Sequence, residues 1–298
     1  MKSQIRTVSL KEFSDRFRSG WVIGCIVVWL AAVGLTSFFG LVQIGRIGFQ
    51  GYERTVISLL NLVQYLVPLL ALLIGHDLLV GEREDRTLAY LVANGVPRWR
   101  VLLGKYAGAA LTLAFSLLLG FGVAGAAIGF GARDQNYSSF LTLTLSGLVL
   151  GLIFLSAALL ISSLSRTRVQ SLVFSLLVWG GAVFAFDLLA LGALVSFATP
   201  AAQQEIDIAC DPMHVNAVAT DVHAAFEAPS DAQQEMTRKR TASRMSWLWL
   251  NPVDLFRSVN LQQHLKTPVP WPVMLFSIIG WIGLSLFLGE RSLRNLDL

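Results

Sequence analysis

Charged residues are scarce in this 298-residue sequence, in which Lys, Arg, Asp and Glu make up only 14% and hydrophobic residues 54%. Soluble domains carry about 25% charged residues, so the composition excludes that class and predicts an integral membrane protein. A helix needs about 20 residues to cross a hydrocarbon layer of about 30 Å. Six apolar runs are long enough, and they lie at 21–42, 57–80, 106–130, 140–164, 171–197 and 271–288. Because they lack the alternation of barrel strands, we expect an all-α fold in which 1–298 form a single domain with six transmembrane helices.

Cysteines and nucleotide-binding motifs are also scarce. The two cysteines, Cys25 and Cys210, fall at opposite ends of the predicted membrane topology, so they are too far apart to form a disulfide. The sequence GVPRWRVLLGKY contains a Gly-Lys pair, but its glycine spacing is not that of a phosphate-binding loop. Tyr106 also replaces the Ser or Thr that would hold magnesium. We therefore expect no cofactor to be bound by this chain.

Lys and Arg are distributed unevenly between the short loops, which predicts the orientation. Fourteen lie on one side of the predicted spans and three on the other. This places both termini in the cytoplasm of a bacterial cell and the multi-pass chain in its cytoplasmic membrane, with segments 1–20, 81–105 and 289–298 inside. The long connection 198–270 is then extracytoplasmic. The net charge of +4 follows from this bias, so no nucleic-acid partner is expected.

The N-terminal segment 8–19 has the pattern of an amphipathic helix. Leu10, Phe13 and Phe17 share one helical face, which suits a helix lying in the membrane surface. An ordinary solvated N-terminus is the alternative. Small residues at four-residue spacing, which let helices approach closely in lipid, occur at Gly20/Gly24, Gly104/Gly108, Gly125/Gly129 and Gly147/Gly151.

Charged residues gather in the stretch GHDLLVGEREDRTLAYLVANGVPRWRVLLGK at 75–105. Thr87 to Ala93 predict a short cytoplasmic helix with an apolar face. Asn94 and Gly95 end it, and Pro97 suits the first turn of the next helix. Because a solvated linker does not need Leu88, Tyr90, Leu91 and Val92, we expect this helix to contact a protein partner or the underside of the bundle.

These residues resemble those of the permease subunits of ABC transporters of the second type. The matching positions are Asp77, Gly81 with Glu82, Thr87 with Leu88, Val96 to Arg98, and Leu102 to Lys105. The segment LNPVDLFR at 250–257 resembles the NosY branch of that family, whose transporter serves the maturation of nitrous oxide reductase.

The resemblance implies a permease, not an enzyme, that couples to a separate ATPase subunit through the short helix between spans 2 and 3. It further implies two ATPase copies carrying ATP and magnesium, a second copy of the permease, and export. The implied coupling residues are Glu82, Arg83, Thr87, Leu88, Leu91, Val92, Pro97 and Arg98.

Polar residues within the predicted spans are candidates for a gate or pathway. Asp77 lies near the cytoplasmic end of span 2, where it either pairs with a basic residue of the loop or acts as a gate or coupling contact. Asn61 and Gln64 either join helices or contact a ligand. Asp187 either faces a polar cavity, because a charge near mid-membrane costs about 2.5–3.5 kcal/mol, or lies beyond an early helix end in outer water.

The extracytoplasmic segment 198–270 carries two further hypotheses. Cys210, Met213, His214 and His223 are residue types that copper accepts, but their spacing fits no standard site, so they are weak metal candidates. The segment also offers a docking surface for a periplasmic protein; the alternative is partial disorder of its first half.

Two other classes of function compete with the permease hypothesis. A stand-alone ion-coupled carrier would normally show internal repeats and more spans. An intramembrane enzyme needs a catalytic set, whereas the sequence has no Gly-x-Ser-x-Gly or His-Glu-x-x-His motif. Neither class explains the cytoplasmic helix.

Overall fold

The computed structural model describes residues 2–42, 51–85, 97–131, 137–185, 188, 251–265 and 271–294. Its helices are α1 (Lys2–Phe17), α2 (Gly20–Val42), α3 (Gly51–Gly75), α4 (Val80–Glu84), α5 (Arg98–Gly131), α6 (Tyr137–Leu164), α7 (Arg168–Gly180), α8 (Pro252–Leu265) and α9 (Trp271–Arg294). A π-helical turn, Gly181–Ala185, directly follows α7. All secondary structure in these ranges is helical, which confirms the predicted all-α class.

The chain divides into two compact units. One comprises residues 1–183 together with 251–298, and the other comprises residues 184–250. Nearly all of the second unit lies outside the described residues. The account below therefore concerns the first unit.

Four helical stretches are long and apolar enough to cross a membrane: Leu59–Glu84, Arg98–Gly125, Phe140–Leu164 and Met274–Leu293. Two shorter apolar helices, Val22–Thr36 and Arg168–Phe184, coincide with the first and fifth predicted spans. The chain is thus a polytopic helical membrane protein, and the count of six spans stays a prediction. The second predicted span was drawn to Val80, whereas α3 ends at Gly75 and four turn residues separate it from α4.

The N-terminal helix α1 packs along α5. The Phe13 and Phe115 rings meet edge to face with centroids 6.5 Å apart. Gly108 makes the approach possible, because a Cβ there would lie 2.6 Å from the Glu12 Cβ and 2.7 Å from the Ser9 carbonyl oxygen. The small-residue pattern at Gly104/Gly108 therefore corresponds to a close helix contact.

Helix α3 is the central element, with contacts to α2, α5, α6, α7 and α8. Val63 and Val67 on α3 are completely buried, as is Leu113 on α5. Gly147 and Gly151 let α6 approach this core, since a Cβ at Gly151 would lie 2.9 Å from a Leu113 methyl group. Apolar side chains fill the centre of the described bundle.

Helix α8 begins inside the sequence motif LNPVDLFR. The Asn251 Oδ1 accepts a hydrogen bond from the Val253 backbone N–H at 3.2 Å, and Pro252 occupies the first helical position. Both are favoured helix-start residues. Helix α8 contacts α3 and α6.

Candidate functional site

A continuous set of ion pairs joins α1 to both sides of the connection that runs from α4 to the first residue of α5, which we call the 81–98 loop. Arg16 pairs with Asp77 at 2.8 Å and with Glu12 at 2.9 Å. Lys105 pairs with Glu12 and with Glu82, each at 2.9 Å. Asp77 precedes the loop, Glu82 lies at its start and Lys105 follows it. We call these five residues the α1 charge network.

The α1 charge network is more enclosed than a surface ion pair. The side chains of Arg16, Glu12 and Lys105 are 12%, 14% and 3% exposed. Burial alone would raise the pKa of the Glu12 carboxyl, but the charges of Lys105 and Arg16 outweigh it, so its pKa lies below the usual 4.5. Burial alone would lower the pKa of Arg16, but the charges of Asp77 and Glu12 outweigh this effect, so the pKa of Arg16 lies above its usual value. Glu12 and Arg16 are both charged at neutral pH.

The chain entering the loop is also fixed to α6. The Ser162 hydroxyl oxygen accepts hydrogen bonds from the backbone N–H groups of Leu79 and Val80, at 2.9 and 3.0 Å. Arg83 donates to the carbonyl oxygens of Ser165 and Ser163, at 2.8 and 3.1 Å. A cation at these carbonyls satisfies the free C-terminal end of α6.

The start of α7 holds the same flank from another side. Arg168 forms ion pairs with Glu84 and Asp85, and Ser171 donates to the His76 carbonyl oxygen. The two ion pairs are largely exposed and contribute less than about 1 kcal/mol each. These ion pairs are relevant because of the elements that they join, since they connect α4 to the α6–α7 connection.

The chain leaving the loop is fixed to the last helix. Helix α5 begins at Arg98, directly after Pro97. Arg98 donates to the Leu293 carbonyl oxygen at 2.6 Å, near the C-terminal end of α9. The two flanks of the loop are therefore held by contacts with α1, α6, α7 and α9.

Several predicted site residues take part in these contacts. Glu82, Arg83 and Arg98 bind groups of their own bundle, and their contact with an ATPase stays a prediction. Asp77 pairs with a basic residue as expected, but its partner is Arg16 on α1 and not a residue of the loop. Thr87, Leu88, Leu91 and Val92 lie outside the described residues.

A second polar group lies farther along α3. Gln64 accepts a hydrogen bond from Arg257 of α8 at 2.6 Å and donates to Asn61 at 3.4 Å. Asp187 and the weak metal candidates Cys210, Met213, His214 and His223 lie outside the described residues. Within the described ranges, no three His, Cys, Asp or Glu side chains are grouped so as to hold a metal ion.

Comparison with known proteins identifies the family. A family model described as ABC-2 family transporter protein matches residues 6–298. The chain belongs to the ABC-2 transporter family. It is 28% identical to the probable ABC transporter permease protein NosY of Stutzerimonas stutzeri, over 98% of this chain and 99% of that protein. It is 35% identical to the protein of the same name from Pseudomonas aeruginosa, over 63% of this chain and 70% of that one. The resemblance to the NosY branch is confirmed.

Three members of the α1 charge network in this ABC-2 family chain were not recognised from the sequence. Lys105 was noted only within the Leu102–Lys105 run that resembles the family, and Glu12 and Arg16 lie in segment 8–19, which was expected to form a surface helix. The i, i+4 spacing of Glu12 and Arg16 was the available signal. The pairing of both with residues of α3 to α5 depends on how α1 packs, which the local pattern does not specify.

Proposed function

We propose that this chain is the membrane-spanning permease subunit of an ATP-driven transporter, and that a separate ATPase subunit docks on the helix within the 81–98 loop. The observation that carries the proposal is the anchoring of both flanks of that loop by buried charged groups. A force that a docked subunit exerts on such a loop is transmitted to the helices that hold its flanks.

The sequence of the loop supports a protein partner. Leu88, Leu91 and Val92 would share one face of the helix predicted from the sequence of this loop, and such an apolar face at the cytoplasmic side suits a groove on another subunit. ATP and magnesium are then bound by the partner, where hydrolysis takes place, and this chain needs no cofactor of its own.

The packing of the described bundle supports an assembly with two permease copies and two ATPase subunits. Val63, Val67 and Leu113 fill the centre of the bundle without measurable exposure, which leaves a polar pathway to form between chains. Asn61 is an exposed amide on a membrane-spanning helix. A polar group there needs a partner chain or water, so we place the pathway, with Asp77, Gln64 and Asp187 as further candidates, beside this face of α3.

The cargo and topology belong to the same proposal. The similarity to proteins named NosY supports a role in nitrous oxide reductase maturation, with transport outward from the cytoplasm. The distribution of Lys and Arg supports a bacterial cytoplasmic membrane with both termini inside. Segment 198–270 then faces outward, where it is available to a periplasmic partner.

The test is purification of the tagged chain from its native membrane, followed by identification of bound proteins and an assay of ATP hydrolysis. We expect a polypeptide with a phosphate-binding loop to co-purify with the parent chain. Leu91→Asp should abolish this association and leave membrane insertion unchanged. Val169→Asp is the matched control, because Val169 is an aliphatic residue 71% exposed at the start of α7, outside the loop.

A stand-alone ion-coupled carrier is the second candidate, with Asp187 and His76 as its proton sites. Transport by the purified chain in vesicles that contain no ATPase would favour it and would contradict the permease proposal. An intramembrane enzyme would instead show turnover of a substrate by the purified chain alone.

A further inference from the structure

Six residues form an unbroken chain of hydrogen bonds and ion pairs from the end of α7, through α8, to α3. Asn251 donates to the Ala182 carbonyl oxygen at 3.2 Å and to Asp254 at 3.0 Å. Arg257 donates to Asp254 at 3.2 Å and to Gln64 at 2.6 Å, and Gln64 donates to Asn61 at 3.4 Å. We call this set the α3–α8 polar chain: Ala182, Asn251, Asp254, Arg257, Gln64 and Asn61.

The two end residues of the α3–α8 polar chain, Ala182 and Asn61, have environments that are unusual in a membrane helix. Ala182 belongs to the π-helical turn Gly181–Ala185, and such turns occur frequently at functional sites. Asn61 is exposed on α3. The α3–α8 polar chain thus connects a segment of π-helical backbone to an amide that the rest of the bundle does not cover.

Arg257 is the central member of this chain. Its side chain is 23% exposed and that of Asp254 is 17% exposed. The two side chains form a largely enclosed ion pair at 3.2 Å. Gln64 lies near the middle of α3, 11 residues before the helix ends at Gly75 and roughly 17 Å from that end, so the α3–α8 polar chain and the α1 charge network are separate groups.

Helix α8 has a second attachment that does not involve α3. Asn260 donates to the Ser146 hydroxyl oxygen of α6 at 2.9 Å. The contact between Arg257 and Gln64 can therefore break while α8 remains attached to α6. Separation of these two side chains frees the Gln64 amide beside Asn61 and admits water to this face of α3.

We propose that Arg257 is a positioning residue of the transport pathway and that its contact with Gln64 keeps the extracytoplasmic end of that pathway closed. The proposal rests on the permease function proposed above. Arg257 acts through Gln64. The orientation of the Gln64 side chain determines whether water reaches the Asn61 amide.

The experiment measures how fast a charged, membrane-impermeant methanethiosulfonate reagent modifies a cysteine at position 61 in intact cells. The full-length chain carries Asn61→Cys together with Cys25→Ser and Cys210→Ser, so that only position 61 reacts. In the assembly proposed above, lipid and the second permease copy cover Asn61, so we expect slow modification with Arg257 present and modification at least several-fold faster after Arg257→Met. Ser258→Ala is the matched control, because Ser258 bonds only the Leu255 carbonyl oxygen within its own helix.

A double variant separates positioning from general loss of structure. Arg257→Gln combined with Gln64→Arg exchanges the two partners, and we expect it to restore slow modification. Equal rates for the parent and Arg257→Met would overturn the proposal, as would an absence of modification in every variant. The modification rates and the ATPase association are measured separately, so loss of ATPase association with a normal Arg257 effect would contradict the permease function alone.

Discussion

Lys105 is the most enclosed member of the α1 charge network, with a side chain 3% exposed between Glu12 and Glu82. Lys105→Met leaves the two partly buried carboxylates of Glu12 and Glu82 without their shared cation, so we expect a loss of about 3 kcal/mol of stability. The thermal midpoint of the detergent-purified protein measures this loss. Lys11→Met, at an exposed position of α1, should change stability by less than about 0.5 kcal/mol. Equal midpoints for the two variants would show that the network does not stabilise the fold.

Glu12 gives the network a defined pH dependence. Its folded pKa lies below the ordinary 4.5, so its stabilising contribution is complete above pH 4.5 and is lost as the pH falls through the lower folded value. The gap in thermal midpoint between the parent chain and Glu12→Gln should therefore be widest near neutral pH and should narrow below pH 4.5. A gap that stays constant down to pH 3 would contradict this assignment.

The residue-scale chemistry was predictable only in part. The pairing of Asp77 with a basic group was predictable from its depth in the span, because a carboxylate there requires a partner. The identity of that partner, Arg16, depends on α1 lying against α5, which is a tertiary contact. Arg257 was noted only within a motif, since its partner Gln64 is 193 positions away.

At the scale of elements, Gly108 controls the contact between α1 and α5. A Cβ at this position would lie 2.7 Å from the Ser9 carbonyl oxygen, so Gly108→Ala should displace α1 and lower stability by about 1–3 kcal/mol. Gly122 lies on the same helix and has no neighbouring atoms within 4 Å of an added Cβ. Gly122→Ala should be neutral or stabilising by up to about 1 kcal/mol. Thermal midpoints that fall equally for both glycines would contradict the packing described here.

Helix positions were predicted better than helix ends. The apolar runs locate α2, α3, α5, α6, α7 and α9 because lipid requires continuous helices. The turn at 76–79 was not predicted, because it depends on Ser162 accepting the backbone N–H groups of Leu79 and Val80. Helix α8 was also missed as an element, although Asn251 and Pro252 are favoured starting residues.

At the scale of the whole molecule, the family was recognisable from the spacing of Asp77, Gly81–Glu82 and the Leu102–Lys105 run. Composition predicted the membrane class and the helical fold. The way the loop flanks are held was not predictable, because Arg83 and Arg98 bind carbonyl oxygens at helix ends that are distant in sequence. The proposed coupling depends on those contacts.

The most direct test of the central claim places a photo-activated cross-linking amino acid at position 91 of the full-length chain, co-expressed with its ATPase. The account predicts a cross-link from position 91 to the ATPase and none from the same amino acid at position 169. A chain that cross-links the ATPase only from position 169, or that transports its cargo with no ATPase present, would contradict coupling through the 81–98 loop.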